Sequence, residues 1–83
     1  MIIGRIPGAT RVLGKSQGYL GLPVRDEIID EGVNGPGTPC MTTAWEPTPE
    51  ELERLMRGAA VYVRILGQVH PPIIVEVGTT EEI

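Results

Sequence analysis

An α+β fold, a small mainly antiparallel β-sheet with one capped α-helix and a C-terminal β-hairpin, is what the sequence predicts, and three observations predict it. Thr48-Pro49-Glu50-Glu51 is a complete helix-start signal. Residues 61–77 alternate apolar with polar positions around a connection containing Gly and Pro. Ahead of Glu46, short apolar stretches are divided by glycine-bearing loops, which leaves the rest of the chain to strands.

In chain order, residues 10–13 and 22–26 read as short strands on either side of a loop at 14–18. Residues 27–31 either extend the second strand or form a turn of helix. Residues 32–39 hold too much Gly and Pro for either and read as a loop. A strand over 40–45 then leads into a helix over about residues 49–57. Thr48 is its N-cap, Pro49 suits the first position, where no N–H is needed, and Glu51 closes a capping box. Acids at 50, 51 and 53 favour the positive end of the helix dipole, Arg54 and Arg57 the negative end, and Gly58 the left-handed C-cap. Leu52, Leu55 and Met56 form an apolar stripe expected to lie on the sheet. The hairpin follows, 61–66 paired with 73–77, with Val61, Val63 and Ile65 sharing a core face with Ile73, Val75 and Val77. Arg64 and Glu76 are expected to pair across it. Residues 79–83 read as a frayed acidic tail. Without an internal repeat or linker, residues 1–83 are expected to be a single α+β domain.

Composition narrows the function. Eleven acidic residues against seven basic ones give a net charge of -4, and the cations are scattered, the reverse of a nucleic-acid backbone binder. One Cys and one His supply neither an intramolecular disulfide nor a protein-only zinc site, so neither metal nor cofactor is expected. The opening MIIGRIPGATR is too short in apolar residues for a signal peptide, and no run reaches membrane-spanning length. A cytoplasmic protein with no membrane partner is expected. A chain this small buries only ~60% of its unfolded surface, which makes a homo-oligomer the expected state.

Few residues carry chemistry. Residues 9–16 match the phosphate-loop pattern loosely, with Ala9 for the first Gly, but no helix former follows, and the match is read as chance. His70 stands before Pro71-Pro72 with no nucleophile or carboxylate at triad spacing, so it reads as a turn residue or ligand contact rather than a general base. Cys40 carries no motif and reads as a small core residue. The chain is expected not to be an enzyme. Arg11, Arg25 and Arg64 lie in expected strands, where a guanidinium can be aimed at phosphate or carboxylate; ion pairing with Asp26, Glu27 or Glu76 is the plainer role for each. Trp45 reads as an anchor between helix and sheet, with base stacking beside Thr42 and Thr43 as the alternative.

The segments Gly21-Leu22-Pro23-Val24-Arg25-Asp26-Glu27, Thr43-Ala44-Trp45-Glu46-Pro47-Thr48-Pro49-Glu50-Glu51-Leu52, Val63-Arg64-Ile65-Leu66-Gly67 and His70-Pro71-Pro72-Ile73 resemble small proteins of tailed bacteriophages and prophages. The resemblance spans roughly residues 10–78 and brings no catalytic residue with it. In size and build the chain is also similar to phage immune-signal sponges, compact oligomers that bind cyclic or ADP-ribose-derived nucleotides between subunits. That likeness implies a protein of the bacterial host cytoplasm that sequesters a small nucleotide-derived signal and so inhibits host anti-phage defence. Arg11 and Arg25 would then hold phosphates, and Thr43, Trp45 and His70 a base or ribose. The alternative is a protein-binding module, such as an inhibitor of a host enzyme or a small morphogenesis or virion component.

Overall fold

The computed structural model describes residues 1–14, 20–30 and 37–79. Its elements are β1 (Ile2–Ile3), β2 (Arg11–Leu13), β3 (Leu22–Ile29), β4 (Thr38–Thr42), β5 (Trp45–Glu46) and α1 (Pro49–Met56). Among the described residues the strands pair antiparallel in two small sheets, one ordered β1-β5 and the other β2-β3-β4. The α+β class is as expected, with short strands and a single short helix among the described residues.

The central strand β3 settles the choice left open at residues 27–31, since it continues extended to Ile29, opposite Thr38 of β4. Ile28 and Ile29 are β-branched and find ladder partners there, which a lone helical turn would not supply. β4 correspondingly begins at Thr38, inside the expected loop. The expected single strand over 40–45 is two strands, because β4 ends at Thr42 and Trp45 pairs with Ile3 instead of with β3. β1 is an addition to the expected elements. It is admitted by Gly4, whose N–H donates to the Ala44 carbonyl at 2.8 Å and where a Cβ would meet that oxygen at 3.3 Å.

The helix forms as its local signals dictate. Thr48 accepts from the Glu51 N–H (3.2 Å) while the Glu51 carboxylate accepts from the Thr48 N–H (2.9 Å), closing the capping box. At the other end the Arg57 N–H reaches the Glu53 and Arg54 carbonyls, and Gly58 turns the chain with φ +94°. Arg57 also pairs with Glu53 one turn back at 2.7 Å.

Two expectations fail. The apolar stripe of α1 does not lie on a sheet: the helix has no buried residue, and Met56 is 81% exposed. The C-terminal hairpin is not formed either, since no strand is assigned over residues 59–79 and Tyr62, Leu66, Val69 and Val77 are open to solvent. One cause underlies both. A two-stranded hairpin is marginal in water unless a third strand or a helix covers a face. Pro71 and Pro72, in the connection, fix their own φ and hold the residues before them extended, which works against a tight turn there. Without that hairpin, α1 has no surface beneath it. The expected Arg64–Glu76 pair is absent with it among the described residues.

The core that does exist is slight. Ile6 and Val24 are the buried apolar residues among those described. Most of the loops expected at 14–18 and 32–39, and most of the acidic tail, lie outside the described residues.

Candidate functional site

The cations of the three-stranded sheet are placed by β2 and β3. Arg11 sits opposite Val24, so its side chain shares a face with Asp26 two residues on. Its Nε and Nη2 donate to the two Asp26 oxygens at 3.1 and 3.0 Å, a fork-to-fork pair, and Nη2 also approaches the Met41 sulfur at 3.1 Å. Thr10 completes the cluster by donating its hydroxyl to Asp26 and accepting from the Asp26 N–H at 3.0 Å. The Arg11 guanidinium first, and the Thr10 hydroxyl next, hold the Asp26 carboxyl below its usual range.

Arg25, one residue along β3 from both Val24 and Asp26, projects from the opposite face. Its Nε stands 3.1 Å from a Glu27 oxygen, and its Nη1 donates to the Pro7 carbonyl at 2.9 Å. The Thr42 hydroxyl donates to Glu27, and this bond, ahead of Arg25, lowers the Glu27 pKa. Arg25 therefore clamps the turn at Pro7-Gly8 onto β3, where Gly8 takes φ +72°. The two arginines expected to hold phosphate thus lie on opposite faces of one sheet, each engaged with a neighbouring carboxylate.

Trp45 and Thr43 are brought together. The indole Nε1 donates to the Thr43 hydroxyl at 2.9 Å, which fixes the ring at the end of β5, and the ring is 48% exposed. It forms one wall of an open cleft of about 680 Å³, whose other walls are Ile2, Ile3, Arg5, Leu20 and Pro23. Arg5 is not among the residues singled out by sequence, and among the described residues it makes no ion pair. The available signal is the apolar doublet Ile2-Ile3 before Gly4, which fits a short strand and would carry Arg5 with it.

His70 lies apart from this cleft in the exposed segment, with its Nδ1 2.8 Å from the Pro71 carbonyl oxygen. Cys40 is a half-buried free thiol in β4. Among the described residues no three of His, Cys, Asp and Glu converge as metal ligands, and no helix is long and apolar enough to cross a membrane.

No family model, curated protein or solved structure matches the chain. Its function must be argued from its own surface.

The surface that stands out is residues 61–77. In this stretch Val61, Tyr62, Val63, Leu66, Val69, Ile73, Ile74, Val75 and Val77 are all exposed. Scattered exposed apolar residues are ordinary, but a continuous run is not. The chain as a whole exposes 7416 Å², against roughly 4,900 Å² for a folded monomer of this mass. Its radius of gyration is 14.4 Å, against about 12 Å for a compact domain of this length.

Proposed function

We propose that the protein works by non-covalent association with another polypeptide, as a binding or assembly module and not as a catalyst. The observation that carries this reading is the bare apolar run over residues 61–77, which is out of place in a self-sufficient monomer and appropriate to a surface that is covered in use. The phage-like segments quoted above make an inhibitor of a host enzyme, or a small virion or morphogenesis component, the settings that suit it. The test compares immobilised wild-type protein with a Val63→Asp/Val75→Asp variant, identifying by mass spectrometry what each retains from host lysate. One protein, a second copy of the chain included, should be retained near equal stoichiometry by the wild type and lost by the variant. Equal retention by both, or none by either, defeats the reading.

A second reading, sequestration of a nucleotide-derived signal in the host cytoplasm, is favoured by a different observation. The Trp45 ring stands half-exposed beside Arg5 in a cleft whose size is within the range of small-ligand sites. A base would stack on the indole and a phosphate would meet Arg5, whereas Arg11 and Arg25 would first have to leave Asp26 and Glu27. A thermal-shift panel of cyclic dinucleotides and cyclic ADP-ribose isomers, run on wild-type and Trp45→Ala protein, decides it. No shift in the wild type, or the same shift in both, rules it out.

A further inference from the structure

The exposed segment does not suit every partner equally. We infer that its occupant is a second copy of this chain: residues 61–66 of one copy pair antiparallel with residues 73–77 of the other, in an isologous, two-fold arrangement. This inference rests on the association reading above and names its partner.

Three observations lead there. The first is area. The chain exposes roughly 2,500 Å² more than a compact monomer of this mass, and covering a third of that excess on each of two copies would bury about 1,700 Å², the size of a stable specific interface. The second is core size. With Ile6 and Val24 as the buried apolar residues among those described, the core within one copy is slight. A partner that supplies the missing core must be present whenever the chain is made, and another copy of the chain meets that condition.

The third is charge and register. Residues 61–66 carry Arg64 and residues 73–77 carry Glu76, and neither makes an ion pair among the described residues. Crossed pairing between copies satisfies both charges twice by symmetry, as an isologous interface requires. It also sets Val61, Val63 and Ile65 on one face with Ile73, Val75 and Val77. The two crossed pairs, joined side by side across the two-fold axis, make a sheet of four segments, above the three strands at which a sheet becomes stable in water, whereas one copy contributes only two. The alternation in the sequence is then a real strand pattern whose partner is the same sequence in a second molecule. Such a sheet would also give the bare Leu52 and Met56 of α1 an apolar surface to meet.

The experiment uses the full chain in a charge-exchange design, read by light scattering behind size exclusion over a hundredfold dilution. Wild type should run at about twice 9.0 kDa. Arg64→Glu alone and Glu76→Arg alone each place two like-charge contacts in a homodimer, and each should dissociate at about tenfold higher concentration than wild type. Mixing the two variants should restore wild-type affinity as a heterodimer, because position 64 of each copy then faces a charge of opposite sign at position 76 of the other. Restoration on mixing is specific to pairing between chains. If restoration needs both changes in one chain and mixing has no effect, the pair is internal and the inference is overturned. A mass of 9.0 kDa at every concentration also overturns it. In that case a monomer that retains an identified different protein, and loses it with Val63→Asp/Val75→Asp, leaves the association reading standing. A monomer that retains nothing removes both.

Discussion

Val24→Ala is the substitution that most directly tests where this fold keeps its stability. Val24 is 1% exposed, the one large side chain among the described residues with essentially no solvent contact, and it lies mid-strand in β3 with β2 and β4 on either side. Removing two carbons forfeits about 1.6 kcal/mol of transfer free energy at ~0.8 kcal/mol per methylene, and a partly relaxed cavity brings the loss to about 2 kcal/mol. The backbone bonds at this position survive the change, because the Val24 carbonyl still accepts from the Thr10 N–H at 2.8 Å. Urea denaturation followed by far-UV circular dichroism reads the effect. With a slope of about 1 kcal/mol per molar for so small a chain, the midpoint should fall by about 2 M at fixed protein concentration. Val12→Ala on β2, at a residue 51% exposed, is the matched control and should lower the midpoint by less. A fall under about 0.5 M for Val24→Ala would show that the stability resides elsewhere and that the β2-β3-β4 sheet is not the organising core.

The other predictions concern the cap, the carboxylates and the first turn. Thr48→Ala removes the hydroxyl half of the capping box and should cost the helix about 1 kcal/mol, seen as faster amide exchange over residues 50–56; unchanged exchange would mean that the box does not hold the helix. Glu51 is pulled from 4.5 to about 2, chiefly by the chain's amino-terminal ammonium at 2.8 Å and then by the Thr48 N–H. Asp26 and Glu27 are also lowered. The folded Glu51 carboxylate binds fewer protons than its unfolded counterpart, so its stabilisation is present above pH 4.5 and is lost as pH falls toward about 2, and the contributions of Asp26 and Glu27 fade in the same direction. A thermal-melt series through that window should show the decline, and Glu51→Gln, which keeps the cap acceptor, should flatten it; an unchanged acid limb in that variant would assign the decline to other groups. Gly8→Ala forces a side chain into φ +72° and should cost about 1 kcal/mol in urea denaturation, although its Cβ would find the Arg25 Cδ at an ordinary 3.4 Å. A neutral result there would mean that the turn held by Arg25 relaxes freely.

How much of this is legible from the residues depends on how far each signal has to reach. The capping box is fully legible, because Thr48, Pro49 and Glu51 satisfy one another within a single turn and need nothing from the rest of the chain. β2 and β3 are legible for nearly the same reason, since a short connection closes them on each other. β1 is not, because Ile2-Ile3 becomes a strand only by meeting Trp45 and Glu46 at the far end of the strand-bearing half, a pairing that no local pattern announces. The candidate arginines show the same limit. A guanidinium in a strand can be placed from sequence, but whether it meets a ligand or a carboxylate depends on register, and here Arg11 meets Asp26 across the β2-β3 ladder.

Residues 61–77 show why a strong local pattern can still be incomplete information. Period-two alternation states that one face of a strand wants cover; it does not state which surface provides it. Among the described residues of one copy, the surfaces that could provide it are a helix with no buried residue and two small sheets. The apolar positions are therefore exposed in the single chain, and the free energy of covering them is unrealised. If a second copy covers them, as inferred above, the same alternation is evidence about association as well as about the monomer's fold. Disrupting it at Val63 should then change the mass of the particle before it changes the secondary structure that the isolated chain already has.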